Sequence, residues 1–323
     1  MRKALFILLI IPFMFLESCR NDFNINAPYK DVYTLNCILR NDDSLQYAII
    51  SKNVYTENGT APDTNIINQN IRGANIKISY HDSVFVMRDT TIELTDSGSV
   101  SRVNCYYTKN LVMQPSEVIS IEAVIPGGTI LKSTIQVPNI SRYYYTRSFP
   151  QYRAGYVTLS EYTWSWSISN ILSFPEIEIY YKKYEGGIYV DKKMLVPLSF
   201  YPFTDDNGEI LMPADLFSLN NLCYTTLKTI NKTMHEISGN DPDKNNYIIT
   251  KVLLNIIALD QDLSRYYSAY NVHAESFTIK LRPTDYSNIE GGEGVFGAYY
   301  KFVQPLAVDS LYVRSFGYQY EPK

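Results

Sequence analysis

Val118-Ile119-Ser120-Ile121-Glu122-Ala123-Val124-Ile125, then Pro126-Gly127-Gly128, then Leu131-Lys132-Ser133-Thr134-Ile135-Gln136-Val137, decides the fold class. Ile119, Ile121, Ala123 and Ile125 occupy every second position, with Ser120 and Glu122 opposite them. After the Pro-Gly-Gly turn, Leu131, Ile135 and Val137 return by the same rule. A helix would scatter these side chains around its surface, whereas a strand gathers them on one face. The stretch therefore predicts two strands of a sheet with one face buried.

The same alternation extends outward in both directions. Tyr33, Leu35, Cys37 and Leu39 form one run and Tyr47–Val54 another. Ile76, Ile78 and Tyr80 alternate with Lys77 and Ser79, and Val84–Met87 follows a turn at His81-Asp82-Ser83. Glu57 to Asn70 is polar, holds Gly59 and Pro62, and reads as a long loop. Roughly six strands in about 110 residues predict a small β-sandwich of the immunoglobulin type over residues 31–140. Pro138 ends that unit, which puts a boundary near 139–145 and a larger β-domain over 141–323.

The second unit opens on Tyr162, Trp164, Trp166 and Ile168, alternating with Thr163, Ser165 and Ser167. Glu176–Tyr184 and Ile188–Pro197 read as a hairpin through Glu185-Gly186-Gly187, and Asp205-Asp206-Asn207-Gly208 as a turn. One or two short helices are expected. Leu216, Leu219, Cys223, Leu227, Ile230 and Met234 recur at three- and four-residue steps, although Asn220, Asn221 and several threonines weaken the pattern. Asp260 caps a second helix over Gln261–Tyr270, after an apolar strand at Lys251–Leu259. Strands are expected near Ser276–Leu281, Gly297–Val303 and Ser310–Gln319. The fold class is all-β.

Composition agrees with a pleated architecture. Tyrosine occurs 29 times, and rings with β-branched residues suit half-buried sheet surfaces. A formal net charge of −4 argues against nucleic acid as a partner, since that binding calls for a basic stripe. Cys37, Cys105 and Cys223 leave three ways to form one disulfide, and Cys37 lies on an apolar strand face, as a small buried thiol would.

The first nineteen residues carry an address. Met1-Arg2-Lys3 precedes thirteen residues from Ala4 to Leu16 without a charge, too few for a permanent span of about 20. Leu16-Glu17-Ser18-Cys19 then has the layout of a bacterial lipoprotein signal, with residues 1–18 removed and lipid carried on Cys19. Several acyl chains make a durable anchor where one does not. Residues 19–30 would be a polar tether. The expected localisation is the outer membrane, lipid-anchored. Asp22 opposed by Arg20 gives no signal for the periplasmic or the cell-surface face.

Motifs for chemistry are sparse. Gly292-Glu293-Gly294-Val295-Phe296-Gly297 spells G-x-G-x-x-G but is followed by strand-like sequence, so a nucleotide loop lacks its helix. Asp241-Pro242-Asp243-Lys244-Asn245 starts like a calcium loop, yet Asn246 and Val252 stand where glycine and an acid belong. His81, His235 and His273 are far apart in sequence, and no serine- or zinc-hydrolase motif occurs. No catalytic residue, metal or cofactor is assigned. Tyr162, Trp164 and Trp166 are the sharpest binding candidates, as flat rings for a glycan or peptide ligand. The competing reading, that they fill the core, is the default for a period-two stripe.

Lys251-Val252-Leu253-Leu254, Leu263-Ser264-Arg265-Tyr266-Tyr267, and Asn288-Ile289-Glu290-Gly291-Gly292-Glu293-Gly294-Val295-Phe296-Gly297-Ala298-Tyr299 together resemble the Bacteroidota lipoprotein family called domain of unknown function 4249. Gly73-Ala74-Asn75-Ile76-Lys77-Ile78 is similar to the opening of carboxypeptidase-regulatory or transthyretin-like β-domains. The resemblance marks Asn288, Gly291, Gly292, Gly294, Phe296 and Gly297 as a structural motif. It implies an outer-membrane lipoprotein of a kind often encoded beside TonB-dependent transporters, and the leading expectation is a non-catalytic accessory or ligand-binding subunit that docks on such a transporter. The alternatives are an envelope enzyme acting on glycans or peptides, and a structural or adhesive surface protein.

Overall fold

The computed structural model describes residues 32–52, 70–96, 99–145, 148–152, 160–168, 171–203, 210–213, 217–268 and 286–322. Its largest sheet runs in the order β12 (Ile188–Val196), β11 (Ser173–Glu185), β16 (Tyr247–Leu259), β17 (Glu293–Leu306), β1 (Tyr33–Arg40), β2 (Leu45–Lys52), β6 (Ser99–Lys109) and β5 (Arg88–Asp96). A short β18 (Gln319–Tyr320) adds beside β16. β1 lies parallel to β17, from Thr34 opposite Glu293 to Arg40 opposite Tyr299. Strands from both sides of residue 140 are thus hydrogen-bonded into one sheet.

Two of the three cores, unlike the sheet, divide near that residue, while the third packs Ile38 with Leu172, Phe174, Ile257, Leu263 and Val295. A four-stranded sheet, β4 (Ser83–Val86), β3 (Asn75–Tyr80), β7 (Val118–Val124) and β8 (Ile130–Gln136), covers one half of the large sheet. Leu35, Cys37, Leu39 and Ile50 meet Ile76, Ile78, Ile119, Ile121 and Ile135 between the two layers. The hairpin quoted above is β7–β8, and its period-two residues are the buried ones. Each such side chain contributes about 1.5–3 kcal/mol by leaving water.

A five-stranded sheet covers the other half: β14 (Ile210–Pro213), β13 (Ser199–Phe203), β15 (Leu222–Thr226), β10 (Glu161–Trp166) and β9 (Tyr143–Tyr145). Its Tyr162, Trp164, Trp166, Phe200 and Cys223 pack with Ile177, Ile179, Leu254 and Ile256 of the large sheet. The first core takes its residues from the chain up to Val137, plus Ile289, Phe296 and Ala298. The second starts at Ile140. The protein is all-β, in two sandwich-like lobes sharing one continuous sheet.

Three helices lie among the described residues, one more than the sequence predicts: α1 (Leu227–Ser238), α2 (Gln261–Ser268) and α3 (Ser310–Ser315). The first expected helix starts later than its spacing implies. Leu222–Thr226 is β15, and Cys223 sits opposite Trp164 of β10. Thr226 is extended, and its Oγ1 accepts from the Thr229 N–H at 3.2 Å, which sets the helix start. The run expected as a strand over Ser310–Gln319 instead begins as α3. Asp309 Oδ1 caps it at the Leu311 N–H (2.9 Å), and Tyr312 and Val313 are buried. A helix this short is held by packing, not by propensity.

Cys37, Cys105 and Cys223 are buried free thiols, not disulfide partners. Cys19 with the signal and tether, the Asp205–Gly208 turn, Leu216, Tyr270 and the Ser276–Leu281 strand lie outside the described residues, as does the loop before Asn70.

Candidate functional site

The segment Asn288–Gly297 joins the lobes. Asn288 Nδ2 donates to the Phe296 carbonyl (2.7 Å) and its Oδ1 accepts from the Phe296 N–H (2.9 Å), so one side chain imitates a strand. Ile289 enters the first core. Glu290 then pairs with β8, its N–H donating to the Lys132 carbonyl at 2.8 Å and its carbonyl accepting from the Lys132 N–H at 3.1 Å. Gly291 and Gly292 turn the chain into β17. Gly294 has φ +111°, and a Cβ there would overlap the Leu35 carbonyl. A Cβ on Gly297 would strike Leu263 of α2. β17 continues as a strand through Gly297 to Leu306, so no helix N-terminus follows the G-x-G-x-x-G letters.

Asp260 locks this join to α2. Its Oδ1 accepts from the N–H groups of Asp262 (2.7 Å) and Leu263 (2.9 Å), and its Oδ2 from the N–H of Ala298 in β17. The residue is 2 % exposed. Burial pushes its carboxyl up to about 7, against the three N–H donors that favour the charged form.

Beside the join a cleft of about 640 Å³ opens between the lobes. One wall is the outer part of β8 with the linker after it, and the other is the first turn of α2. Thr134, Gln136, Asn139, Gln261 and Asp262 bring polar groups to it, while Ile168 and Ile171 bring apolar ones. Its described lining carries neither an aromatic ring nor a basic side chain. Asp262 accepts from the Tyr286 hydroxyl at 2.5 Å and stands 3.9 Å from Arg265. Ligand sites concentrate at such junctions, where two rigid bodies supply the walls.

The aromatic stripe is elsewhere, and its binding role is corrected. Tyr162, Trp164 and Trp166 are 0, 0 and 1 % exposed, so no ring offers a face to a ligand. Trp166 Nε1 is satisfied internally by Ser173 Oγ at 3.1 Å. Thr163 and Ser165, opposite in the alternation, take the half-exposed side. The Asp241 stretch is a turn: Asp241 accepts from the Tyr247 hydroxyl and the Asp243 N–H, both at 2.9 Å. Val252, where calcium ligation needs an acid, is core. Among the described residues no cluster of His, Cys, Asp or Glu has the makings of a metal site.

Sequence reasoning missed a carboxylate on the opposite face of the large sheet. Glu178 is 1 % exposed and accepts from Lys193 Nζ, the Tyr180 hydroxyl (2.6 Å) and Asn255 Nδ2 (2.8 Å). Despite burial, which acts the other way, these donors hold its carboxyl below the usual range. Glu176, two residues earlier and 3.6 Å from Lys301, is pushed up by burial. Two carboxylates driven apart is a pattern shared with acid–base pairs. Here the lower one is sealed off and fully bonded, and neither lines a described cavity. The signal was in the hairpin, where Lys193 stands opposite Tyr180 and diagonal to Glu178.

Lys193→Ala is expected to cost about 2 kcal/mol near neutral pH, by leaving a buried carboxylate one donor short. Glu178, with its folded pKa lowered, adds stability above its unfolded pKa and loses it as pH falls through the folded one. The gap between wild type and variant should therefore close in acid. Urea melts at two pH values test this, and a constant gap would refute it.

A second, shallow hollow of about 730 Å³ lies over β5 and β6 between Arg72, Thr91, Glu93, Arg102 and Asn104. Both guanidinium groups are already engaged, Arg72 with Thr91 at 2.8 Å and Asn104, and Arg102 with Glu93 at 3.0 Å.

No family model matches the chain, and no curated protein matches it.

Proposed function

We propose that the chain is an envelope lipoprotein, tethered through Cys19 to the outer membrane, whose two-lobed β body binds a ligand as a non-catalytic accessory of a TonB-dependent transporter. The observation that carries the binding reading is the cleft at the lobe junction, lined by polar groups from β8 and α2 and by the apolar Ile168 and Ile171. Glu178, buried and fully bonded, is not placed to react, because a reacting carboxylate needs access to its substrate. The anchor rests on the sequence from Met1 to Cys19 and on the family resemblance, while the transthyretin- or immunoglobulin-like assignment of the first lobe rests on its strand count and on Gly73–Ile78.

An anchored accessory works through local concentration, since tethering turns a bimolecular encounter into an intramolecular one. Cells expressing the chain are fed an alkyne analogue of palmitate. Wild type is expected to take up label, sediment with outer membrane and co-purify with a β-barrel from detergent extract. Cys19→Ala should lose label and membrane association, and with them most of the barrel. A cytosolic chain that keeps residues 1–18, or an anchored chain that never brings down a barrel, would refute the reading.

A further inference from the structure

We propose that the inter-lobe cleft takes a short extended peptide, which adds as a strand to the outer edge of β8. The inference rests on the ligand-binding reading above and names the class of ligand.

β8 is the end strand of its sheet, paired with β7 on one side. On the other side both backbone groups of Lys132 are bonded to Glu290, so they point away from β7. Backbone groups alternate along an antiparallel strand, so the N–H and C=O of Thr134 and Gln136 point the same way. No described residue bonds them. Continuing the Glu290 pairing would set Asn288 opposite Thr134, but the Asn288 side chain turns back to Phe296 and carries the chain to β17. Among the described residues the edge thus accepts one antiparallel residue, Glu290, and beyond it lies along the cleft, whose lining includes Thr134 and Gln136.

An edge that no described residue pairs, lying along a cavity, offers donors and acceptors at the spacing of an extended polypeptide, and strand addition uses that match. The chemistry for a sugar is poorer, since no aromatic ring lines the cleft for stacking. A volume near 640 Å³ suits a few residues of free peptide and not the edge of a folded partner. Of the two acidic residues on the lining, Asp260 is sealed among backbone N–H groups, and Asp262 is the one that faces a ligand, so neutral or basic peptides should bind better than acidic ones.

The test is amide hydrogen exchange on the full chain in detergent, with three probes. These are a capped Thr-Val-Thr-Val-Thr peptide, the same peptide with both valines changed to glutamate, and maltopentaose. The Thr134 and Gln136 amides should exchange as exposed amides in the free protein and slow at least tenfold with the neutral peptide. Proline is tolerated on an edge strand where its missing N–H faces outward. Thr134→Pro should therefore keep the fold and weaken the neutral peptide about tenfold, the worth of one hydrogen bond. Should that variant not fold, a peptide with one backbone ester in place of an amide makes the same deletion from the ligand side.

Protection of Thr134 and Gln136 before any peptide is added would overturn the proposal, because the chain would already cover its own edge. So would no protection by the neutral peptide, or equal affinity for Thr134→Pro and for the ester. Maltopentaose protecting Gln261 and Asp262 where the peptides do not would overturn the peptide class and leave the ligand-binding reading standing.

Discussion

Gly294→Ala should lower the stability of the protein by about 4 kcal/mol. At φ +111° an L side chain is strained by about 1–3 kcal/mol, and the new Cβ would sit on the Leu35 carbonyl of β1. Neither partner has room to give. Leu35 is fully buried in the first core, and the parallel pairing of β1 with β17 fixes the register from Thr34 to Arg40. Overpacking a site of this kind costs about 1–3 kcal/mol more. The sum, about 4 kcal/mol, is a large fraction of a typical total of about 5–15. Gly187→Ala is the control, because Gly187 in the β11–β12 turn has φ +91° and nothing within 4 Å of an added Cβ. It should show the strain without the collision. Equal losses for the two variants, measured by denaturant melts, would show that the close approach of β1 to β17 carries no cost.

The other large effect is electrostatic. With its folded pKa raised to about 7, Asp260 gives its full contribution to stability below the unfolded pKa and loses it as pH rises through the folded one. Between about pH 4 and pH 7 the unfolded chain gives up this proton while the folded chain holds it. The accumulated loss is about 4 kcal/mol at 1.36 kcal/mol per unit. Asp260→Asn keeps an acceptor for the Asp262 and Leu263 N–H groups but turns an amide toward Ala298. It should be the less stable protein near pH 4 and should draw level with wild type or pass it above pH 7. If the two stability curves run parallel from pH 4 to pH 9, the carboxylate is already ionised in the folded state.

What could be read from the letters was local. Alternation located β3, β7, β8 and β10 because a pleat sorts neighbours by parity, and Asp260 announced α2 because a cap acts within three residues. The parallel contact of β1 with β17 joins residues more than 250 positions apart, and nothing near either strand encodes the other. α3 was invisible because its six residues owe their shape to Tyr312 and Val313 entering a core built by distant strands. Glu178 misled in the opposite direction. In Ile177-Glu178-Ile179 the acid takes the solvent position of the alternation, and only Lys193, Tyr180 and Asn255 make it a buried one. The cleft was illegible for the same reason: its walls come from β8 and α2, which are more than 120 residues apart.

The stitching of β17 into the first core has a consequence for how the polypeptide matures. Ile289, Phe296 and Ala298 complete a core otherwise built from residues up to Val137, so roughly the first hundred and fifty residues to emerge from a ribosome or translocase hold an incomplete interior. Contacts this remote in sequence form late, because the entropy of closing the loop comes due before they repay it. The nascent chain therefore spends most of its synthesis with exposed strand edges and unsealed apolar surface. Its quality control must fall on the interval before the last quarter arrives.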